Sequence, residues 1–251
     1  MKEIMRCLGV YDWDARVHCA DVFDVMRKHF SEEKYSLVDF SLLVSSWPRA
    51  KRLDVSSVQD VIRGRDDIKS IEGHFEHQKY GRAYFLISGS ASPASVILVQ
   101  MPRRPETENS LERLVRLLAS LCSLGYGYIF DWVGSSDPAF HALGITHQNV
   151  EGNDEDEEQE DSDERWFNER VLKPPLGRRY LDSGMFRDIY EINILNTSHL
   201  NRIAERLGVE AFQSEGWGTL TALPNGTWLW NMEMHDRSKV AAQLKGKGLL
   251  I

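Results

Sequence analysis

The stretch Gly218–Met232, GTLTALPNGTWLWNM, decides how the end of this chain is read. Pro224-Asn225-Gly226 stands between two runs rich in Thr, Leu and Trp. Asn-Gly accepts the positive φ angles of a tight hairpin turn, so Gly218–Leu223 and Thr227–Met232 are expected to pair as antiparallel strands. Side chains alternate along a strand, which puts Trp228 and Trp230 on one face and Leu229 on the other. Outward from the hairpin, Thr197 or Ser198 caps a helix that ends near Leu207, with Gly208 just past it. Asp236 opens another helix, with Val240, Ala241 and Leu244 on one face. Met185–Leu195 and Leu249–Ile251 read as flanking strands. The order β-α-β-β-α-β is the split, ferredoxin-like arrangement.

The N-terminal half follows a looser version of that plan. Leu8–Trp13 reads as a strand. Ala15–Phe30 reads as a helix, because Cys19, Val22, Phe23, Met26 and Phe30 recur at helical spacing. Tyr35–Val44, Ile68–Gln78, Arg82–Ile87 and Ser95–Met101 read as strands, and Ser56–Ile62 as a short helix. Asn109 with Glu112 three positions on has the form of a capping box, opening a helix to Leu124 that Gly125 stops. Tyr126–Val133 is a further strand, and Asp137-Pro138 opens one helical turn to Leu143. The expected class is α+β: two α/β-sandwich-like halves with antiparallel or mixed sheets, over residues 1–148 and 167–251, joined through an acidic segment at 149–166, either as two units or packed as one domain.

That segment accounts for the charge. The chain of 251 residues carries a net charge of −8, but Glu151–Glu164 alone holds 10 acidic residues and no Lys or Arg. Without it, 28 acidic residues stand against 30 basic ones, so the body is near neutral. A near-neutral body lacks the clustered basic footprint of a nucleic-acid-binding domain. So many like charges repel one another and favour a disordered connecting loop. The run also lacks the turning glycine of a calcium loop, since Asp154 and Asp156 are followed by Glu158 and Gln159.

No catalytic motif stands out. His74 and His77 lie three apart on an expected strand and so point to opposite faces. His141 and His147 have no companion cysteines. Cys7, Cys19 and Cys122 form no CxxC pair and read as reduced thiols of a cytoplasmic protein, with Cys19 and Cys122 buried on helix faces. Cys19 beside His18 belongs to the apolar stripe. No signal peptide is read at the N-terminus, and no apolar run reaches the roughly 18–20 residues of a membrane span. Asp131 and Asp188 are carboxylates inside apolar strands. Burial could suit them to acid–base chemistry, although pairing with an arginine such as Arg187 is the commoner outcome.

GMFRDIYEINILNTSHL, GTLTALPNGTWLWNM and GYGYIFDWVGSSDPAFHALGI together resemble bacterial immunity-type proteins of polymorphic toxin systems. The resemblance implies a cytoplasmic, non-enzymatic protein that binds and neutralises a cognate toxin, without a cofactor or a metal. A basic toxin would be drawn to Asp154, Glu155, Asp156, Glu157, Glu158, Glu160 and Asp161, and Trp228 and Trp230 could anchor it if their face is uncovered. The alternatives are a hydrolase using Asp131 and Asp188 between the halves, or a scaffold or regulatory binding module.

Overall fold

Among the described residues, one antiparallel sheet of ten strands organises the chain. In the computed structural model, residues 4–14, 16–63, 65–89, 95–132, 184–208, 210–213 and 217–250 are described. The strands are β1 (Met5–Tyr11), β2 (Ser36–Val44), β3 (Lys51–Arg52), β4 (Ile68–His77), β5 (Gly81–Ser88), β6 (Val96–Pro102), β7 (Tyr126–Trp132), β8 (Ile192–Asn196), β9 (Thr219–Ala222) and β10 (Thr227–Asn231). Their order across the sheet is β3-β2-β4-β5-β6-β1-β7-β8-β10-β9. Among the described residues five helices complete it: α1 (Cys19–Glu32), α2 (Val58–Ile62), α3 (Ser110–Leu121), α4 (Thr197–Leu207) and α5 (Arg237–Gly246). The acidic segment and the Asp137-Pro138 turn lie outside the described residues.

The α+β class holds, and the sheet is continuous through both halves. β7 pairs with β8, Tyr128 opposite Asn193. In a ferredoxin-like half the last strand would take that place beside β8. Here β7 occupies it, and Leu250 instead makes an isolated parallel bridge to Phe186. Each sheet face carries its own core. Val22, Phe23, Met26 and Phe30 of α1 and Leu111, Leu114, Val115 and Leu118 of α3 pack over Phe40, Phe75, Phe85 and Val99 on one face. On the other, Ile203 of α4 and Val240 and Leu244 of α5 join Tyr128, Phe186, Trp217 and Trp230. The turn between β9 and β10 has φ 56° at Asn225 and 69° at Gly226, as an Asn-Gly turn requires. The Asn225 side chain donates to Ala119 O of α3 at 2.9 Å, which ties the C-terminal hairpin to an N-terminal helix.

Local chemistry moved several boundaries. Residues 187–191 are not strand, because their backbone is held by side chains: Tyr190 N donates to Asn193 Oδ1 (3.0 Å), Asn193 Nδ2 donates to Tyr190 O (2.7 Å), Ile189 N donates to Asp188 Oδ1 (2.6 Å) and Arg187 N donates to Tyr126 Oη (3.2 Å). The cap of α4 is Asn196 rather than Thr197 or Ser198. Its Oδ1 accepts from Ser198 N (2.9 Å) and His199 N (3.2 Å). Asn109 makes no side-chain capping bond at α3; Glu112 pairs with Arg116 at 2.6 Å. α3 ends at Leu121, since Cys122 is fully extended at φ −149° and ψ 166°. At the N-terminus the positive φ of Asp12, 51°, ends β1 before Trp13.

Candidate functional site

The two carboxylates singled out in the sequence lie on opposite sheet faces. Asp131 shares with Ile129 the face that α1 and α3 cover, directly opposite Arg6 in the pairing of β1 with β7. Arg6 is buried. Its guanidinium donates to Asp131 (2.9 Å) and to Glu191 (2.7 Å). Arg103 holds the other oxygen of Asp131 and reaches Glu108 at 3.1 Å. Burial opposes the charge on Arg6, but its bond to Glu191 and the charge of Asp131 outweigh burial and raise its pKa. Asp188 sits on the other face, where Tyr126 Oη donates to its backbone carbonyl (3.2 Å) and Arg237 donates to its carboxylate (2.7 Å). Its partner is therefore Arg237 and not Arg187. The guanidinium of Arg187 turns inward and donates to Tyr128 Oη at 2.5 Å. Two carboxylates separated by a sheet, each held by arginine, cannot flank one substrate bond.

Sequence reasoning passed over a cluster with the composition of a hydrolytic triad. Ser110 Oγ donates to Glu33 Oε2 (2.5 Å) and lies 3.1 Å from His29 Nε2. Arg113 pairs with the other oxygen of Glu33. In a working triad the acid holds the imidazole nitrogen remote from the serine. Here Glu33 and Ser110 both address Nε2, Glu33 from 3.5 Å, and Ser110 and His29 are buried. Burial also pushes the His29 pKa down. The cluster pins α1 to α3 and offers no open nucleophile.

Of the other cysteine and histidine candidates, His141 and His147 lie outside the described residues. Burial raises the Cys19 thiol to about 12 and the Cys122 thiol to about 11, so both stay protonated at neutral pH and unreactive. His74 lies 2.9 Å from Asp39 across the β2–β4 pairing, while His77 Nδ1 accepts from Lys79 N at 2.9 Å. Among the described residues, no group of three His, Cys, Asp or Glu side chains could hold a metal ion. No helix among them is long and apolar enough to cross a membrane.

His199 gives the site region a pH dependence. The ring is fully buried between Tyr126, stacked at 5.1 Å, and the edge of Phe186. Burial lowers its pKa to about 4, with the carbonyl of Met185 acting in the opposite sense. In the unfolded chain the imidazole takes a proton near pH 6.5. Below that pH protonation favours the unfolded state, so the stability is intact above about pH 6.5 and is lost as pH falls toward about 4, in total about 3 kcal/mol. Denaturant titrations at pH 7 and pH 4.5 are expected to show this loss, and a His199→Phe variant is expected to flatten it.

Of the expected partner-binding residues, the two tryptophans are described. They share a face, opposite Leu229, as alternation requires. Trp230 is fully buried: it stacks on Trp217 at 5.7 Å, meets Phe186 and Phe212 edge-on, and donates its Nε1 hydrogen to Trp217 O. It has no surface to give a partner. Trp228 is half-buried and keeps an accessible edge. Asp154, Glu155, Asp156, Glu157, Glu158, Glu160 and Asp161 lie outside the described residues.

No protein-family model matches this chain, and no curated protein does. Among solved structures, the Pseudomonas aeruginosa T6SS protein PA0821 is similar in fold, with a TM-score of 0.57 over 97% of this chain and 73% of that one. The two chains are 10% identical, so the likeness is one of fold alone.

Proposed function

We propose that this chain neutralises a cognate bacterial toxin by binding it. The observation that carries the reading is the fold shared over 97% of its length with a T6SS protein. The role itself comes from the sequence segments that resemble immunity-type proteins of toxin systems. The C-terminal segments that resemble immunity-type proteins belong to the same sheet. Asp131 and Asp188, the carboxylates of a hydrolase reading, are each occupied by arginine on separate faces. The acidic run Glu151–Glu164 speeds encounter with a basic toxin surface, and salt weakens that steering.

The test is co-expression with the product of the adjacent gene. A stable complex in a pull-down and restored growth of cells expressing that product are the expected results. No complex and no rescue with any neighbouring gene product would sink the proposal.

A further inference from the structure

The two edges of the sheet are guarded differently. An edge strand presents unpaired backbone groups, and proteins blunt such edges with short strands, charges or bulges. β3 is two residues long and both are basic, Lys51 and Arg52. β9 is four residues long, Thr-Leu-Thr-Ala, uncharged and in unbroken register with β10. Its outward groups can be named. Leu223 N donates to Thr227 O at 2.8 Å, and antiparallel pairs alternate between bonded and non-bonded. Thr221 opposite Leu229 is therefore a bonded pair. Leu220 opposite Trp230 and Ala222 opposite Trp228 are not. Leu220 and Ala222 turn their N–H and C=O groups away from β10, and no strand pairs with them among the described residues.

A groove on the same face of the sheet favours one kind of occupant. It encloses about 590 Å³ between the end of α4 and α5, over Leu207, Ala211 and Trp217, with Lys239 and Lys247 exposed at its margin and no carboxylate among the described residues that line it. Trp217 lies two residues before the open strand. Neither lysine has an ion-pair partner among the described residues. The half-buried Trp228, opposite Ala222, continues the apolar side.

We infer that the outer edge of β9 is the docking strand, and that it takes an extended segment of the partner protein whose side chains include carboxylates for Lys239 and Lys247. Backbone pairing through Leu220 and Ala222 supplies attachment, and the lysines and Trp228 select the sequence. The inference rests on the toxin-binding reading. The acidic run and this basic-margined groove are of opposite sign and together orient the partner.

Two measurements test it. In the free chain, the amide protons of Leu220 and Ala222 are expected to exchange fast with solvent while that of Thr221 is protected. Slow exchange at Ala222 would show a closed edge and overturn the inference by itself. The second is calorimetry with the adjacent gene's product. Ala222→Pro removes an outward N–H and no ladder bond, so the fold, checked by circular dichroism and thermal midpoint, is expected to survive. Affinity is expected to drop about tenfold or more, and Lys239→Glu with Lys247→Glu to weaken it also. Ala222→Val, which keeps the N–H, is expected to bind like the natural chain. A folded Ala222→Pro variant of undiminished affinity overturns the docking strand while leaving the toxin-binding reading standing. A natural chain that does not bind counts against that reading and removes the proposed occupant with it. A dimer in sedimentation that Ala222→Pro makes monomeric would assign the edge to a second copy and likewise overturn the inference.

Discussion

Trp230→Ala is expected to lower the unfolding free energy by about 3–5 kcal/mol, the cost of truncating a large buried aromatic ring. Trp230 joins elements that are distant in sequence: it meets Phe186, Phe212 and Trp217 and satisfies the backbone carbonyl of Trp217. Trp228→Ala, one turn of the pleat away and half-buried, is expected to cost less than half as much. The two substitutions separate the roles of residues that look equivalent in the sequence. On the proposed binding reading, Trp230→Ala is expected to lower partner affinity only through loss of folded protein, and Trp228→Ala to lower it in protein that remains folded. Denaturant midpoints measured beside calorimetric affinities for both variants make the comparison.

Asp131→Asn is expected to cost about 3 kcal/mol of stability, because it leaves the buried guanidinium of Arg6 with a single carboxylate, Glu191. Arg6→Met is expected to cost less. It removes the buried cation outright, and Asp131 keeps Arg103. This asymmetry is the signature of a structural ion-pair network, in which the penalty comes from stranding a buried charge. A catalytic carboxylate behaves in the opposite way, since its neutral variant loses activity with little loss of stability. Urea titrations of the two variants decide between these patterns.

The course of the chain was legible where pattern and turn chemistry agree. Asn225-Gly226 placed the hairpin, and the alternation of Trp228, Leu229 and Trp230 assigned their faces correctly. The stripes of α1 and α3 announced the core beneath them. Side-chain to backbone bonds were not legible: Asn193 and Asp188 divert residues 187–191 from a strand that composition favours, and Asn196 takes the cap expected of its hydroxyl neighbours. Nor does local pattern report which strands meet. β7 fills the position beside β8 that β-α-β-β-α-β order leaves for the last strand, and this pairing makes one sheet of two expected sandwiches. The same blindness hid the fates of the site candidates. Asp131 meets Arg6, 125 residues away, and Asp188 meets Arg237, 49 away. Ser110, His29 and Glu33 are brought together by packing of α1 on α3, which no spacing in the sequence announces.

Blocking by binding and destruction by catalysis differ most plainly in stoichiometry. The central claim is tested by titrating the purified chain into a fixed amount of the adjacent gene's product and following that product's toxic activity. Binding predicts a linear loss that ends at a fixed molar ratio, unchanged by longer incubation. Activity abolished by a small fraction of one equivalent, and falling further with time, would contradict it.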